Sequence, residues 1–360
     1  MNYIIKKEHD APAYLQIYRQ MRDDIINQIY PHNSKLPSKR TLSGETGVST
    51  VTVEHAYALL WDEGYIEPRE RSGYFVCFRK DDGFLPATIQ QASPAPVVKH
   101  PSGPAPEFPF SVFVKTMRRV ISDFGEAILD RSPNSGCLEL RQAICSYLAR
   151  SRGILAETEQ IIIGSGSEYL YSLIVELLGR DRRYAIESPS YQKIEQIYRG
   201  ADVCCELLPL GCDGIESAAL WACHADVLHI SPYRSFPTGV TATASKRHEY
   251  IHWSKGKYIV EDDYESEFSV SKKLEETLFS LSSDENIIYM NTFSQTISPS
   301  LRVGYMVLPK PLVPVFAERL GYYSCTVPTY IQFVLAELLQ NGDFERHINR
   351  VRRTKRKQCK

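Results

Sequence analysis

Hydrophobic residues recur at helical spacing near the start of the chain and in two stretches that follow. The first set is Tyr14, Ile17, Tyr18, Met21, Ile25 and Ile29. A repeat of three to four residues predicts an amphipathic helix. Ser38 and Ser49 each precede a further helical stretch, and a serine there accepts a backbone amide of the first turn. Residues 65–68 and 74–77, joined by a turn that contains Gly73, predict a β-hairpin.

Beyond residue 110 the pattern changes to short apolar runs that alternate with helical stretches. The apolar runs predict buried strands at 160–163, 184–186, 227–230, 258–260, 286–290 and 303–307. Helices are predicted, among others, at 138–148, 168–178 and 330–339. Such an alternation is typical of an α/β fold, in which helices cover both faces of a mostly parallel sheet. Side chains that carry function are then expected at the ends of strands.

A proline-rich stretch separates the two patterns. Seven prolines lie from Pro86 to Pro109. Proline removes backbone donors and disfavours helix at the residue before it. We therefore predict a smaller domain at residues 1–79, an extended linker at 80–109 and a larger domain at 110–360.

Composition excludes several classes of protein. Lys and Arg number 42 against 43 Asp and Glu, so the net charge of −1 predicts no overall attraction to nucleic acid or to a membrane. No apolar run approaches the roughly 20 residues that span a bilayer, and the start of the chain lacks the apolar core of a signal peptide. A cytoplasmic protein is therefore expected. The nine cysteines contain no CxxC pair, so we predict no metal site, although the group from Cys204 to Cys223 leaves that alternative open.

The elements of the smaller domain are the parts of a winged helix-turn-helix. In that geometry the helix after Ser49 enters the major groove of DNA and presents Thr50, Thr52 and His55. Basic side chains that could reach phosphates or the minor groove are Lys39, Arg40, Arg69 and Arg71. A small helical oligomerisation module with a surface hairpin is the alternative.

Five segments of this domain resemble the GntR-type winged helix. They are Leu36-Pro37-Ser38-Lys39-Arg40-Thr41-Leu42, Gly47-Val48-Ser49-Thr50-Val51-Thr52-Val53, Ala56-Tyr57-Ala58-Leu59-Leu60, Glu63-Gly64-Tyr65-Ile66 and Ser72-Gly73-Tyr74-Phe75-Val76. The resemblance implies binding to a double-stranded DNA operator. The residues that it implies for this contact are Ser38, Lys39, Arg40, Ser49, Thr50, Thr52, His55, Arg69, Arg71 and Gly73. The family often has arginine where this chain has Thr50, so a contact of about 1–3 kcal/mol is expected to be missing there.

Three features of the larger domain suit a ring that bears a phosphate. Small residues from Gly164 to Ser167 lead into a helix, whose amides and dipole can hold a phosphate, although a tight turn needs glycine anyway. Asp262, at the end of a predicted strand, can hold a protonated ring nitrogen or cap a turn. Arg302, which follows Thr292-Phe293-Ser294, can fork onto a phosphate or make a structural ion pair.

With further motifs, these features resemble the type I pyridoxal-phosphate fold, as in aspartate aminotransferase. They resemble most the MocR/GabR group, in which a GntR-like domain is linked to an aminotransferase-like domain. The further motifs are Pro133-Asn134-Ser135-Gly136, Glu187-Ser188-Pro189-Ser190-Tyr191, Phe236-Pro237-Thr238-Gly239 and residues 259–268. The resemblance implies an α/β/α sandwich that binds pyridoxal 5′-phosphate. The residues it implies are Ser165, Gly166, Ser167, Thr292 and Arg302 for the phosphate, Asp262 for the ring nitrogen, Tyr191 for the ring face and Tyr264 for the phenolic oxygen.

The lysine that anchors the cofactor in this group is absent. The family motif reads Thr-Phe-Ser-Lys, and this chain has Gln295 after Ser294. Glutamine forms no Schiff base and cannot act as the base that moves the proton in transamination. Transaminase activity is therefore not expected, unless a nearby lysine such as Lys193 substitutes. The cofactor is expected to bind non-covalently or not at all.

We therefore predict a cytoplasmic, homodimeric transcriptional regulator of the GntR/MocR type. The winged helix binds an operator, and the aminotransferase-like domain dimerises and senses pyridoxal phosphate or a small amine or amino acid. Residues 344–353 resemble the helix that leads into a small C-terminal domain, which we expect to be missing. The alternatives are a lysine-independent pyridoxal-phosphate enzyme and a degenerate domain that senses nothing. Turnover of amino acids would indicate the first alternative and aggregation the second.

Overall fold

The chain divides into two compact units, Met1–His100 and Pro101–Lys360. The computed structural model describes residues 3, 5, 11–79, 108–263, 266–269, 276–283 and 285–358. Residues 80–107 of the predicted linker and Tyr264, the residue expected at the phenolic oxygen, lie outside the described residues. Each unit is described below by itself.

The first unit has three helices followed by a two-stranded hairpin, as the sequence predicts. The helices are α1 (Ala13–Ile26), α2 (Lys39–Thr46) and α3 (Thr50–Asp62), and the strands are β1 (Ile66–Arg69) and β2 (Gly73–Val76). The two strands pair antiparallel, with Ile66 opposite Val76. Buried side chains from all five elements form one core, among them Ile17, Met21, Leu42, Val53, Leu60, Ile66 and Val76. Tyr57 is also buried, and its hydroxyl donates to the Pro37 carbonyl at 2.7 Å.

The second unit is built on a seven-stranded sheet. Its strands are β3 (Ile161–Gly164), β4 (Arg183–Ser188), β5 (Cys204–Pro209), β6 (Val227–Ile230), β7 (Tyr258–Asp262), β8 (Ile287–Thr292) and β9 (Gly304–Val307). Their order across the sheet is β3-β9-β8-β7-β6-β4-β5. The pairs from β8 to β5 are parallel, and β9 runs antiparallel to both of its neighbours. The prediction of a mostly parallel sheet is confirmed.

Ten helices in the described part of the second unit accompany this sheet. They are α4 (Phe110–Phe124), α5 (Leu138–Ser151), α6 (Ser167–Leu178), α7 (Gln192–Gly200), α8 (Ser217–Ala222), α9 (Ala244–Trp253), α10 (Leu278–Leu281), α11 (Leu312–Leu320), α12 (Thr329–Gln340) and α13 (Asp343–Gln358). None of the helices in the described ranges is long and apolar enough to cross a membrane.

Alternate residues of the strands face two helical layers. Ile162, Ile288 and Met306 pack with α6, α7 and α11 on one face. Ile163 and Tyr289 face the other way, toward α4, α5, α12 and α13. Because side chains alternate along a strand, buried strands with apolar residues at every position require a layer on each side. The α/β/α sandwich predicted from the sequence is therefore the fold of this unit.

Two details of the sheet differ from the sequence prediction. Strand β5 was not predicted, because it lies at the sheet edge and five of its six residues, all except Leu208, are exposed or half-buried. Asp262 was expected just beyond a strand, and it is instead the last residue of β7. Neither difference moves the expected site, because Asp262 still lies at the carboxyl edge of the sheet.

Candidate functional site

Serine caps start both helices of the helix-turn-helix. Ser38 Oγ accepts the amide of Thr41 at 3.1 Å, and Ser49 Oγ accepts the amide of Thr52 at 3.2 Å. Between these helices Gly47 adopts a left-handed conformation with φ of 70°, which glycine takes without steric cost. These short-range contacts fix where α3 begins and therefore which of its residues face outward.

The outward face of α3 is formed by its first turn and the residues one and two turns later. The exposed residues of α3 are Thr50, Val51, Glu54, His55 and Ala58, followed by Trp61 and Asp62 at its end. Thr52, which the sequence placed outward, is half-buried, and its hydroxyl lies 2.8 Å from Ser49 Oγ within the cap. Val51 was not predicted on this face, because an apolar residue near a helix start is usually taken as part of the core. In the structure 58% of it is exposed. An exposed valine in this place can contact the methyl group of thymine.

The predicted basic residues of α2 have different surroundings. Lys39 Nζ lies 2.5 Å from Glu54 Oε1 of α3 and above the ring of Tyr74. The Glu54 carboxylate, the largest cause, raises the pKa of Lys39, so the lysine stays charged. Arg40 is exposed at the start of α2.

The hairpin holds its two arginines in unlike ways. Arg69 forms hydrogen bonds of 2.8 Å to both Glu67 and Asn33, and its guanidinium lies over the Phe75 ring. Arg71 is exposed in the turn with a left-handed φ of 57°, next to the positive-φ residue Gly73. Arg69 therefore stiffens the hairpin, whereas Arg71 extends from its tip.

A cleft opens at the carboxyl edge of the sheet in the second unit. It encloses about 830 Å³, counted out to its open mouth. Its lining residues are Ser167, Glu168, Tyr171, Tyr191, Ile194, Ser231, Phe236, Asp262, Thr292, Ser294, Gln295 and Arg302. Strands β6, β7 and β8 end here and α6 begins here, so the cleft occupies the usual ligand position of an α/β sheet.

One end of the cleft is the start of α6. The N-cap of this helix is Gly166, with φ of 91° and no side-chain cap, so the amides of the first turn have no side-chain acceptor. The amide of Ser165 donates to Thr326 Oγ1 at 3.1 Å. Ser167 lines the cleft, whereas Ser165 and Gly166, which were also expected at the phosphate, are not among its lining residues. Uncapped amides at a helix start are the usual donors to a bound anion.

Arg302 closes the same end. It has a left-handed φ of 48°, a costly conformation for a residue with a side chain. Its guanidinium lies so close to Gly166 that a Cβ on that glycine would meet Nη2 at 3.3 Å. Arg302 Nη2 donates to Glu168 Oε2 at 3.1 Å, and the other oxygen of Glu168 pairs with Lys193. Arg302 therefore makes the structural ion pair that was its alternative role, and its partner, Glu168, was not predicted from the sequence.

The loop after β8 supplies the wall beside Arg302. Thr292 Oγ1 accepts the amide of Ser294 at 3.1 Å and lies 3.0 Å from the Val303 carbonyl, to which it donates. Thr292 thus holds the loop in shape as well as lining the cleft. Gln295, which is expected from the sequence in place of the family's lysine, also lines the cleft.

The other end of the cleft is buried and acidic. Asp262 Oδ2 accepts the hydroxyl of Tyr171 at 2.5 Å and lies 3.6 Å from His229 Nε2. His229 Nδ1 lies 2.6 Å from the hydroxyl of Tyr198. Burial, followed by the Asp262 carboxylate, raises the pKa of Tyr171, so this hydroxyl remains a donor. Tyr191 and Phe236 flank the opening with rings 6.3 Å apart.

A second buried acid supports the floor of the cleft. Glu187 Oε1 accepts the hydroxyl of Ser235 at 2.5 Å and the amide of Ser231 at 3.3 Å. Burial raises the pKa of Glu187 to about 7. Ser231 lines the cleft, so Glu187 contacts the cleft wall through this residue.

The structure brings most of the predicted cofactor residues to one cleft. Ser167, Tyr191, Asp262, Thr292 and Arg302 all line it. Glu168, Tyr171 and Phe236 were not predicted as site residues, although Glu168 follows the strand-to-helix turn and Phe236 begins one of the motifs that carry the resemblance. No group of three or more His, Cys, Asp or Glu suited to a metal ion occurs among the described residues.

The cleft fits pyridoxal phosphate at one end only. Asp262, with a buried carboxylate, suits a protonated ring nitrogen, and Tyr191 suits the ring face. Gln295 offers no amine for a covalent bond. Glu168 presents a carboxylate to Arg302, the side chain expected to hold the phosphate. The residues present therefore do not fit a covalently held pyridoxal phosphate.

The fold and the two sites define a DNA-binding regulator joined to an aminotransferase-like domain. The family model of bacterial regulatory proteins of the gntR family matches residues 13–76, and that of aminotransferase class I and II matches residues 106–358. The chain is 31% identical over 359 residues to YdeL, an uncharacterized HTH-type transcriptional regulator of Bacillus subtilis, covering 97% of this chain and 78% of YdeL. This chain belongs to the GntR-family transcriptional regulators of the MocR type, which carry an aminotransferase-like domain.

Two further relatives carry more specific names. The probable rhizopine catabolism regulatory protein MocR of Rhizobium meliloti is 26% identical, over 97% of this chain and 78% of MocR. The pyridoxine biosynthesis regulator PdxR of Corynebacterium glutamicum is 28% identical, over 94% of this chain and 75% of PdxR.

Solved aminotransferases share the fold of the second unit. LysN, the α-aminoadipate aminotransferase of Thermus thermophilus, was solved with N-(5′-phosphopyridoxyl)-L-leucine and is 26% identical with a TM-score of 0.62. The Pyrococcus horikoshii kynurenine aminotransferase is 22% identical with a TM-score of 0.63. Each match covers 70% of this chain and 66% of the other, so the chain spans just under two thirds of either enzyme.

Proposed function

We propose that this regulator binds operator DNA through residues 1–79 and a small effector in the cleft of residues 110–360, without acting as a transaminase. The observation that carries the proposal is that Gln295 lines the cleft, because the sequence motif assigns this residue to the place of the lysine that a transaminase needs. A cleft with a buried acid and aromatic walls, but with no lysine amine on the loop after β8, suits binding rather than transamination.

The DNA contact is proposed on the exposed face of α3 and the side chains beside it. Thr50 and His55 read bases in the major groove, and Arg40 contacts a phosphate. Ser38 and Ser49 fix the helix starts, with Thr52 supporting the second cap. Arg71 follows the backbone or the minor groove from the hairpin tip, which Arg69 and Gly73 keep in shape. Lys39 contributes its charge beside Glu54.

The effector is proposed to bind by its ring. Asp262 holds a protonated nitrogen, Tyr191 covers one face, and Ser167 with Arg302 approaches the end nearest α6. No covalent bond forms, because Gln295 has no amine and Lys193 is paired with Glu168. This part of the proposal covers pyridoxal-type rings and small amines alike.

A homodimer in the cytoplasm completes the proposal, because operators for such regulators require two winged helices. The second unit exposes large apolar side chains, Phe110, Leu129 and Ile121 among them, with exposed fractions of 78%, 83% and 50%. Apolar surface of this kind is a common contact between subunits.

If effector binding changes the affinity for DNA, linkage requires that operator DNA changes the affinity for effector by the same factor. Equal effector affinity with and without operator would refute the coupling.

DNA binding is tested by fluorescence anisotropy with labelled duplexes from the regulator's own promoter region at several salt concentrations. Arg40→Ala should lower the slope of log K against log salt by about one, uniformly across sequences, since one phosphate contact is lost. Arg22→Ala, on α1 and paired with Asp23, is the control and should leave the slope unchanged. Failure of the wild-type protein to bind any duplex at low salt would refute the proposal.

Absence of transaminase chemistry is tested by absorption spectroscopy with added pyridoxal phosphate. Gln295→Lys should gain the visible band of a lysine Schiff base, whereas the wild type and Gln295→Met should not. Turnover of amino acids by the wild type would favour the enzyme alternative. A Gln295→Lys variant without the band would show that the cleft does not hold the ring as proposed.

A further inference from the structure

Glu168 occupies the position between the two cations at the α6 end of the cleft. It lies in the first turn of α6 and lines the cleft. Its Oε2 accepts from Arg302 Nη2 at 3.1 Å, and its Oε1 forms an ion pair with Lys193. A carboxylate of the protein therefore already pairs with the two cationic side chains that a bound anion would use, and only the amides at the start of α6 are left to it.

Charge balance decides what this end of the cleft accepts. Lys193 and Arg302 supply two positive charges, which would match a phosphate monoester carrying about −1.5 to −2 near neutral pH. Glu168 cancels one of the two. A phosphate ester bound here would meet one net positive charge, with a carboxylate beside it, and like charges at close range oppose binding. The phosphate must therefore displace Glu168 from Arg302 before it can use that side chain.

The opposite end of the cleft selects for a cation. Asp262 is buried and accepts a hydrogen bond from Tyr171 at 2.5 Å. An ionised acid in such a site gains most from a protonated donor such as a pyridinium N–H. Tyr191 and Phe236 provide flat apolar surface above it. Between the two ends, the polar lining consists of the uncharged groups of Ser231, Ser294 and Gln295 among others.

From this arrangement we propose that Glu168 is a specificity-determining residue, which makes the cleft select a flat, protonated nitrogen heterocycle without a phosphate ester. The inference rests on the proposed function, since it names the class of effector for the same cleft. The bound ring donates its N–H to Asp262 and lies against Tyr191, and Glu168 keeps Arg302 and Lys193 neutralised. A phosphorylated form of the same ring binds more weakly.

The test compares two ligands that differ only in the phosphate ester, pyridoxine and pyridoxine 5′-phosphate. Neither has an aldehyde, so neither attaches to surface lysines. Isothermal titration calorimetry on the full chain should give tighter binding of pyridoxine, by about tenfold, a factor that corresponds to 1.4 kcal/mol. Glu168→Gln should tighten binding of the phosphate ester by roughly tenfold and leave pyridoxine within about twofold.

The control removes the same charge from the same helix away from the cleft. Glu176 lies on α6, is paired with Arg180 and does not line the cleft. Glu176→Gln should leave the ratio of the two affinities unchanged. Lys193→Met, a second variant, removes one cation but leaves Glu168 on Arg302, so it should weaken the phosphate ester further without weakening pyridoxine.

The outcomes separate the inference from the proposed function. If both ligands bind and the wild type prefers the phosphate ester, or if Glu168→Gln leaves the ratio unchanged, the role of Glu168 is wrong and the effector site stands. If neither ligand binds the wild type or Glu168→Gln, both the inference and the proposed ring-binding cleft are wrong. If Glu176→Gln shifts the ratio of the two ligand affinities as much as Glu168→Gln does, the effect comes from the overall charge of the protein. That result would also overturn the inference.

Discussion

The two units hold their candidate functional side chains in different ways. In the first unit the orienting contacts are local, as when Ser49 caps the amide of Thr52 three residues away. In the second unit they join distant parts of the chain, with Tyr171 bonded to Asp262 and Glu168 to Arg302. Local contacts place side chains on a surface without engaging the core, whereas distant contacts depend on the whole sheet. Substitutions should therefore separate binding from stability in the first unit and couple them in the second.

The largest effect is expected for Arg152→Met, in the buried network behind the cleft. The Arg152 side chain pairs with Asp263, which follows the cleft residue Asp262 and is completely buried. Tyr289 donates to the same carboxylate at 2.6 Å. Removing one partner leaves an unpaired buried charge, so the free energy of unfolding should fall by about 3–5 kcal/mol. Urea unfolding of the second unit followed by circular dichroism measures it.

Arg150→Met is the matched control, in the last turn of α5, which Arg152 directly follows. Arg150 pairs with Glu345, and more than half of the Arg150 side chain is exposed. An exposed ion pair contributes at most about 1 kcal/mol, so the control should unfold close to the wild type. Equal losses for Arg150→Met and Arg152→Met would contradict the claim that this network depends on burial.

Asp262→Asn should give the next largest effect, on ligand affinity. A hydrogen bond to a charged group contributes about 1.5–3 kcal/mol, so affinity for pyridoxine should fall by roughly 10- to 100-fold. Calorimetry on the full chain measures it. Tyr171→Phe, which removes the hydrogen bond to Asp262 but keeps the charge, should weaken pyridoxine less. An Asp262→Asn variant that binds pyridoxine as tightly as the wild type would show that the acid does not hold the ring.

The contrast between local and distant contacts also explains how far the sequence could predict the molecule. The serine caps and the α3 face depend on neighbours, so Ser38, Ser49 and Thr50 were placed correctly from spacing alone. Asp262 could be predicted because strand ends meet at one edge of a parallel sheet, whereas Arg302 was predicted from the resemblance to the family.

Partners across long sequence distances could not be predicted. Glu168 meets Arg302 over 134 residues and Tyr171 meets Asp262 over 91 residues, and no local spacing encodes either pair. The hydroxyl of Thr52 contacts Ser49 Oγ in the cap of α3, so Thr52 does not face outward as predicted. The edge strand β5 was missed for a related reason, since half-exposed residues lack the apolar run that marks buried strands.

A smaller effect on the free energy of unfolding of the second unit is expected from the pH. Burial raises the pKa of Glu187 to about 7 from an ordinary value of 4.5. The folded protein therefore keeps a proton that the unfolded chain releases. The stability contributed by this group is full below pH 4.5 and is lost as the pH rises to about 7.

Glu187→Gln should remove that loss. The amide keeps an oxygen to accept from Ser235 and Ser231 and never ionises, so the variant should be more stable than the wild type by roughly 1–2 kcal/mol at pH 8 and similar to it at pH 5. Thermal unfolding between pH 5 and 8 measures the difference. A gap between the two proteins that does not change with pH would contradict the assignment.

The smallest effect tests the first unit, where stability and binding should separate. Ser49→Ala removes the cap of α3 and should destabilise this unit by about 1 kcal/mol, because one amide of the first turn loses its acceptor. Thr50→Ala, one residue on, removes an exposed side chain and should change stability by less than about 0.5 kcal/mol while weakening operator binding. Hydrogen exchange of the α3 amides measures the first effect and anisotropy the second. If Thr50→Ala loosens α3 as much as Ser49→Ala does, the face that reads DNA is part of the folding contacts, and the two units do not differ in the way argued.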